Sequence, residues 1–441
     1  MTKVGFISLG CPKNQIDTEI MLAHLAEAGY ELTPEDTEAD IIIVNTCGFI
    51  ESAKQEAIDN ILDVAWLKKN RDLRGIIVTG CLSERYREQI FTEMPEVDAL
   101  VGCGSIHDIV EAVKAVDRGE KYSSFKPMDS LELGGNRIVT TPEYTAYLKI
   151  AEGCDNRCAY CAIPSIRGPF RSRPIEDIVE EAKELESAGL KELVLVAQDT
   201  TRYGVDLYGD YKLAELLHKL GEETDIPWIR LLYCYPDKIT DELVAEMASN
   251  PQVVKYIDLP VQHISDPVLA RMNRHGDSAL IRSVIKKLRD AMPDIIIRTT
   301  AIVGFPGETD EDFTQLCEFV KETKFDRFGA FTYSREEDTP AYDMPDQIDE
   351  QQKQDRLDRV MAIQYDIVAE KNESMQGRTV RVLCEDYDVV SGCYFGRTAA
   401  DAPEIDGRVF FTSGKKLAAG DFVDVRIDGT IDYDLTGTAV Q

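Results

Sequence analysis

The sequence predicts an α/β protein in three parts: an N-terminal open parallel α/β sheet, a central (βα)6 partial barrel and a small C-terminal OB-like β-barrel. Three observations carry this. Short apolar runs alternate with helical stretches through about residue 125, a longer alternation of the same kind follows a Pro- and Gly-containing linker, and the chain ends in five short strands punctuated by Gly turns. At 441 residues the chain is also too long for one ordinary hydrophobic core.

The first part, expected over residues 1–125, begins with the strand "KVGFISLG" and the helical "QIDTEIMLAHLAEAG". It continues with "ADIIIVNT", a helix from about Ile50, "GIIVTG", a helix from Ser83, and "VDALVG". The stretch "PMDSLELGGNRIVTTPEY" lacks periodicity and reads as a linker over residues 126–143. Residues 144–372 hold six strand candidates, "YLKIAEG", "ELVLVAQD", "IRLLYC", "YIDLPVQ", "IIIRTTAIVGF" and "FDRFGAFTYS", separated by amphipathic helices such as "IEDIVEEAKELESAG". Six βα units favour an open barrel, with chemistry at the carboxyl ends of its strands. The long polar helix "DEQQKQDRLDRVMAIQYDIVAEKNES" leads to the strands "RTVRVLCE", "VVSGCYFGRT", "RVFFTS", "DFVDVRIDG" and "LTGTAV" of residues 373–441.

With 49 basic and 80 acidic residues the net charge is −31, which repels nucleic-acid phosphates and anionic membranes and favours a basic partner. The opening "MTKVGFISLG" shows no leader pattern, and no run of about 18 apolar residues occurs, so a cytoplasmic location without membrane contact is expected. Eleven cysteines scattered over a long chain do not form a disulfide framework, and either metal ligation or no chemistry at all is left to them.

Two cysteine groups carry that chemistry. In "AEGCDNRCAYCAIP", Cys154, Cys158 and Cys161 follow the first strand of the central part closely enough to converge on one metal centre if the loop curls. A zinc site would call for a fourth ligand, and the nearest histidines in sequence are the distant His107 and His218. A redox dithiol would use Cys158 and Cys161 and leave Cys154 idle. A cubane iron–sulfur cluster on three thiolates keeps one iron open for a ligand. The second group is spread through the first part: Cys11, Cys47 and Cys81 each follow an apolar strand, where an open parallel sheet gathers its strand ends around one crevice. One such cysteine alone is more often a small buried hydrophobe. Cys103, in "ALVGCGS", occupies a similar place, and spacing alone leaves open which three of the four are ligands.

The run Cys154, Cys158, Tyr160, Cys161 resembles the signature of radical S-adenosylmethionine enzymes. The resemblance implies a 4Fe–4S cluster on the three cysteines, with S-adenosylmethionine bound at the open iron and split by one electron into a 5′-deoxyadenosyl radical. It further implies cofactor contacts by Tyr160, Gln198, Asp199, Arg298, Gly304 and Glu308, although the turn carrying Gly304 and Glu308 also reads as an ordinary strand-to-helix connection. The segments "SLGCPKNQIDTE", "NTCGFIESA" and "TGCLSERY", together with a small C-terminal barrel similar to a TRAM domain, resemble the methylthiotransferases over nearly the whole chain. That resemblance selects Cys11, Cys47 and Cys81 for an auxiliary 4Fe–4S cluster that carries the donated sulfur, making all six cysteines catalytic, and leaves Cys103 unmatched.

"SLGCPKN" is similar to the protein-modifying branch, whereas relatives acting on transfer RNA typically read Gly-Cys-Gln-Met-Asn there. The implied reaction is methylthiolation at the β-carbon of an aspartate in ribosomal protein S-twelve. The alternatives are modification of a transfer-RNA adenosine and, from a different class, a metal-stabilised translation factor without turnover. From Ser374 onward seven basic residues face eleven acidic ones, and the acidic sites in "CEDYDVV", "ADAPEIDG" and "DGTIDYD" suit a basic protein partner better than RNA, so direct RNA binding is not expected. A low-potential electron donor such as flavodoxin or ferredoxin is expected; the sulfur donor is left open. Cys234, Cys317, Cys384 and Cys393 read as packing, and His263 as a hydrogen-bonding residue or a cavity residue. Both clusters must serve one cavity, so the first part is expected to cap the barrel mouth with its strand ends.

Overall fold

The computed structural model describes residues 2–440. The first part is a parallel sheet of β1 (Lys3–Ser8), β2 (Glu31–Thr33), β3 (Ile41–Thr46), β4 (Gly75–Gly80), β5 (Ala99–Val101) and β6 (Tyr122–Ser124), in the order β2-β1-β3-β4-β5-β6. The continuous apolar runs of β3 and β4 suit strands buried on both faces, and every residue of both is buried. Ile42, Val44, Ile76 and Val78 pack on the helix Glu51–Asn70 through Ala57, Ile61 and Val64. Ile41, Ile43 and Ile77 pack on the other side with Ile16 and Ile20 of the helix Pro12–Glu27. The edge strands β2 and β6 escape sequence reading, because three polar-rich residues, "ELT" and "YSS", carry no periodicity.

The central part joins β7 (Thr145–Lys149), β10 (Glu192–Val196), β11 (Trp228–Leu231), β12 (Val253–Asp258), β13 (Ile296–Val303) and β14 (Arg327–Thr332) in one open parallel sheet, ordered β14-β13-β12-β11-β10-β7. A short antiparallel pair, β8 (Ala151–Glu152) and β9 (Arg171–Ser172), brackets the loop with Cys154, Cys158 and Cys161. Leu148, Leu193, Leu195, Ile229, Leu231 and Ile257 point to the surrounding helices. On the opposite face Tyr147, Val194, Val196, Leu232 and Tyr256 share a core with Ile16 and Ile20 of the first part and Ala402 of the third. Three stretches of chain thus close around the barrel interior.

The third part is a closed barrel of β15 (Thr379–Asp388), β16 (Cys393–Thr398), β17 (Val409–Thr412), β18 (Phe422–Ile431) and β19 (Asp434–Ala439), filled by Val382, Cys384, Val409, Phe411, Val425 and Ile427. Its β16–β17 connection runs into the central sheet. Arg397 and Arg230 both bind the buried carboxylate of Glu192, Arg230 donates to the Ala399 carbonyl at 3.0 Å, and Tyr256 donates to Asp406 at 2.6 Å. Asp401 pairs with Arg327. The acidic residues of "ADAPEIDG" are therefore divided: Asp401 and Asp406 are spent inside the molecule, and Glu404 alone is exposed. Glu385 of "CEDYDVV" is likewise engaged, by Arg397. Alternating charge shows polarity but not which acids find buried arginines.

The first part is clamped to the loop after β14 by Glu336, whose carboxylate is 1% exposed and pairs with Arg85 at 2.9 Å and Lys54 at 3.0 Å. Burial alone would raise this carboxyl, but hydrogen bonds from Ser334, Lys54 and Arg85 outweigh it and hold it below the ordinary value. The link is complete above the ordinary value of 4.5 and is lost as pH falls through the lower folded value. Glu336→Ala takes from Arg85 its one paired carboxylate among the described residues and leaves Lys54 to the exposed Glu51 at 2.7 Å, and is expected to cost about 3 kcal/mol of docking free energy. Amide exchange across Glu51–Asn70 should quicken at neutral pH, and the gap from wild type should close in acid. No helix among the described residues is long and apolar enough to cross a membrane.

Candidate active site

The strand ends of the first part meet as the topology requires. Cys11 caps the helix Pro12–Glu27, Cys47 follows β3, and Cys81 opens the helix Cys81–Tyr86 straight after β4. Two glycines permit the approach. Gly10 has φ +95°, and a Cβ there would lie 3.0 Å from the Cys47 Cβ; at Gly48 a Cβ would lie 2.8 Å from the Leu82 backbone and 2.9 Å from that of Cys81. Burial pushes the Cys47 thiol up to about 12, with the neighbouring Cys81 and Cys11 adding to the shift. Cys81 moves the other way: a hydrogen bond from Cys103 and the nearby Arg167 guanidinium favour its thiolate despite burial. Cys103 is buried beside Cys81. Asn14 and Asn45 tie these loops together, Asn14 donating to the Leu9 carbonyl at 2.7 Å and Asn45 to the Asn14 carbonyl at 2.7 Å.

The second group lies in one tight loop. Cys154 and Cys158 are buried and Cys161 half-buried; burial pushes Cys154 up to about 11 and raises Cys161 further, with Cys158 adding to both. The Ala159 N–H donates to the Met272 carbonyl and the Ala341 N–H to the Ala159 carbonyl, each at 2.8 Å, which fixes the loop against the later helices. The Cys158 Sγ lies 3.4 Å from the Tyr235 hydroxyl and 3.7 Å from Arg274, whose guanidinium stacks 4.1 Å from the Tyr235 ring centre.

A buried polar cluster joins the two groups. Arg167 ends the short helix Ile163–Arg167 that follows Cys161. Its guanidinium reaches Asp17 at 2.6 Å, Asn14 at 3.0 Å and the Cys81 Sγ at 3.4 Å. Lys149 bridges Asp17 and Glu152, and Gln198 donates to Glu152 at 2.6 Å. Ala162 and Ile166 pack on Cys81 and Cys103, so a single helical turn separates the two sets of cysteines. Lys13, beside Cys11, lies with its ammonium 3.2 Å over the centre of the Tyr233 ring, and burial lowers its pKa. Sequence reading missed Arg167, Lys149, Asp17, Glu152 and Arg274. Only Arg167 left a trace, as a lone charge in the apolar turn after Cys161.

The other anticipated positions lie at different depths. Tyr160 packs with Ala159, Phe305 and Tyr333. Gln198 keeps a buried Oε1 without a hydrogen-bond partner. Asp199 is occupied by Asn156 at 2.8 Å, Lys238 at 3.3 Å and Thr201 at 2.6 Å, bracing the cysteine loop. Arg298 stands near the start of β13 rather than its carboxyl end and pairs with Asp258 at 2.9 Å. Glu308 folds onto its own turn, accepting from the Gly304 N–H at 2.6 Å and from Arg356 at 3.1 Å; burial raises its carboxyl to about 7. His263 accepts from the Ser265 N–H through Nδ1, and burial lowers it to about 4.

The donor set fits two iron–sulfur groups. Each is three thiols without competing carboxylates, and next to the first the hydroxyls of Thr79 and Ser83 are buried without a hydrogen-bond partner. No three His, Cys, Asp or Glu side chains among the described residues crowd around a single ion position, and a cubane takes each thiolate on a different iron.

Residues 3–102 match the family described as Uncharacterized protein family UPF0004, residues 148–320 the Radical SAM superfamily and residues 377–440 the TRAM domain. The chain is 49% identical over 444 residues to the ribosomal protein uS12 methylthiotransferase RimO of Desulforamulus reducens, covering 100% of both. It is 51% identical over 438 residues to RimO of Lachnoclostridium phytofermentans, covering 99% of this chain and 100% of that one. Among solved structures, the radical S-adenosylmethionine methyltransferase TsrM of Kitasatospora setae superposes with a TM-score of 0.58 at 12% identity, covering 88% of this chain and 79% of that chain, a likeness of fold alone. The chain belongs to the RimO family of methylthiotransferases, which are radical S-adenosylmethionine transferases.

Proposed function

We propose that the chain inserts a methylthio group at the β-carbon of an aspartate in ribosomal protein uS12. The substrate follows from whole-length similarity to relatives named for that activity. The one structural observation that carries the chemistry is the packing of Ala162 and Ile166, directly after Cys161, on Cys81. When bound, S-adenosylmethionine and two iron–sulfur groups supply one-electron chemistry able to take hydrogen from an unactivated carbon, and the sulfur to replace it.

This chain's residues hold and align those parts. Cys154, Cys158 and Cys161 are proposed as ligands of the radical-generating group, and Cys11, Cys47 and Cys81 as ligands of the auxiliary one. Arg274 donates to Cys158, whose Sγ also lies 3.4 Å from the Tyr235 hydroxyl, while Arg167 donates to Cys81, so each trio has charge or hydrogen-bond support for one thiolate. Tyr160, among Ala159 and Phe305, offers an apolar wall to the adenine, and the unpaired Gln198 Oε1 offers an acceptor. Asp199, Arg298, Gly304 and Glu308 are proposed to act on the cofactor by shaping its surroundings. A flavodoxin or ferredoxin is the proposed reductant, and the cytoplasm, where uS12 is made and assembled, the proposed location.

The test is anaerobic incubation of the reconstituted protein with uS12, transfer RNA, S-adenosylmethionine, sulfide and dithionite. The expected product is uS12 carrying a methylthio mass increment on one aspartate. Unchanged uS12 beside a methylthiolated transfer-RNA adenosine would assign the RNA-modifying reaction instead.

A further inference from the structure

Lys13 is a side chain whose present surroundings do not account for it. It is 8% exposed, yet its ammonium has no carboxylate within ion-pair distance and no hydrogen-bond acceptor among the described residues. Among the described residues its ammonium is not one of the polar atoms sealed from solvent, so it keeps an opening to water, and the ring face of Tyr233 offsets part of the cost of drawing the charge that far in. The carboxylates whose charge it feels are already engaged: Asp258 by Arg298 at 2.9 Å and the Tyr233 N–H at 2.9 Å, Glu152 by Lys149 and Gln198. Tyr233 itself is held at φ +62°, a conformation side chains rarely adopt, immediately past the end of β11. The ammonium therefore sits between Cys11, whose charge also draws it, and a barrel strand end, with no carboxylate of the chain paired to it.

We propose that Lys13 is a substrate-binding residue that receives the side-chain carboxylate of the aspartate to be modified. The inference rests on the function proposed above and names the group by which that substrate is told apart from others. An aspartate whose β-carbon is to meet the sulfur group near Cys11 must bring its carboxylate, one bond further on, into the same space. An ammonium there supplies the charge-assisted hydrogen bond that a neutral amide or a nucleobase cannot match. A substrate without an anion would strand the lysine, and an aspartate would be stranded without it.

The test compares uS12 carrying aspartate with uS12 carrying asparagine at the modified position, on anaerobic holoenzyme, by binding (fluorescence anisotropy) and by product formation. Wild type is expected to favour the aspartate form by about 10–100-fold in Kd, as one buried charged hydrogen bond provides. In Lys13→Met the preference should fall to within about threefold, and in Lys13→Arg, which keeps the charge, it should largely return. A Lys13→Met protein that still prefers aspartate as strongly as wild type overturns the assignment. Failure of the function reading looks different: wild-type enzyme would then yield no methylthiolated uS12, whatever its aspartate preference.

Discussion

Replacing Cys158 by alanine abolishes S-adenosylmethionine cleavage, whereas replacing Cys47 by alanine leaves cleavage running and stops sulfur transfer. The separation follows from where each thiol is anchored. Cys158 is held by Tyr235 and Arg274 of the central part, and its loop is pinned to Met272 and Ala341. Cys47 is shaped by Gly10 and by the Cys81 turn, all within the first part. Loss of an outer partner of a metal ligand typically costs about 10–100-fold, so loss of the ligand itself should exceed that in each case. The assays are 5′-deoxyadenosine release for cleavage and mass spectrometry of uS12 for transfer. Equal loss of cleavage in both variants contradicts the division of labour.

Arg167→Met carries the next largest effect, on stability and on the fit between the two cysteine sets. The guanidinium is fully buried and makes contacts to Asp17, Asn14 and Cys81 that no other single residue could replace. Methionine preserves most of the volume and removes the charge, leaving Asp17 and Glu152 to share Lys149. Breaking a buried pair from one side costs about 3–5 kcal/mol, and the surviving lysine should hold the loss near the lower end. Lys at 167 keeps the charge but not the planar fork, so Arg167→Lys is expected to fall between wild type and Arg167→Met. Urea unfolding and iron content of purified protein measure the two effects. Wild-type stability and full iron in Arg167→Met would show that the bridge between the cysteine sets is dispensable.

Much of this site can be read from the chain before any fold is known, because its ligands are tied to local features. Cys11, Cys47 and Cys81 each close an apolar strand, and Cys154, Cys158 and Cys161 share one loop, so pattern and spacing reveal them. The supports are another matter. Arg167 meets Cys81 across 86 residues and Arg274 meets Cys158 across 116, distances over which no periodicity connects the partners. The same limit hid the burial of Asp401 and Asp406, whose arginines lie on the strands of another domain. Arg298 differs in another way: β13 runs on five residues past it to Val303, which leaves this arginine near the start of the strand. Lys13 is visible as a motif letter, but only the surrounding carboxylates, each already bound, show that none of them pairs with it.

The most direct measurement is iron and sulfide content of anaerobically reconstituted protein, with Mössbauer spectra, for wild type and for two triple variants. Wild type should hold about eight irons per chain, and Cys11→Ala/Cys47→Ala/Cys81→Ala and Cys154→Ala/Cys158→Ala/Cys161→Ala about four each, as one cubane per trio requires. Stoichiometric zinc in place of iron, or loss of all iron from either triple variant, would contradict two separate clusters on two separate sets of cysteines.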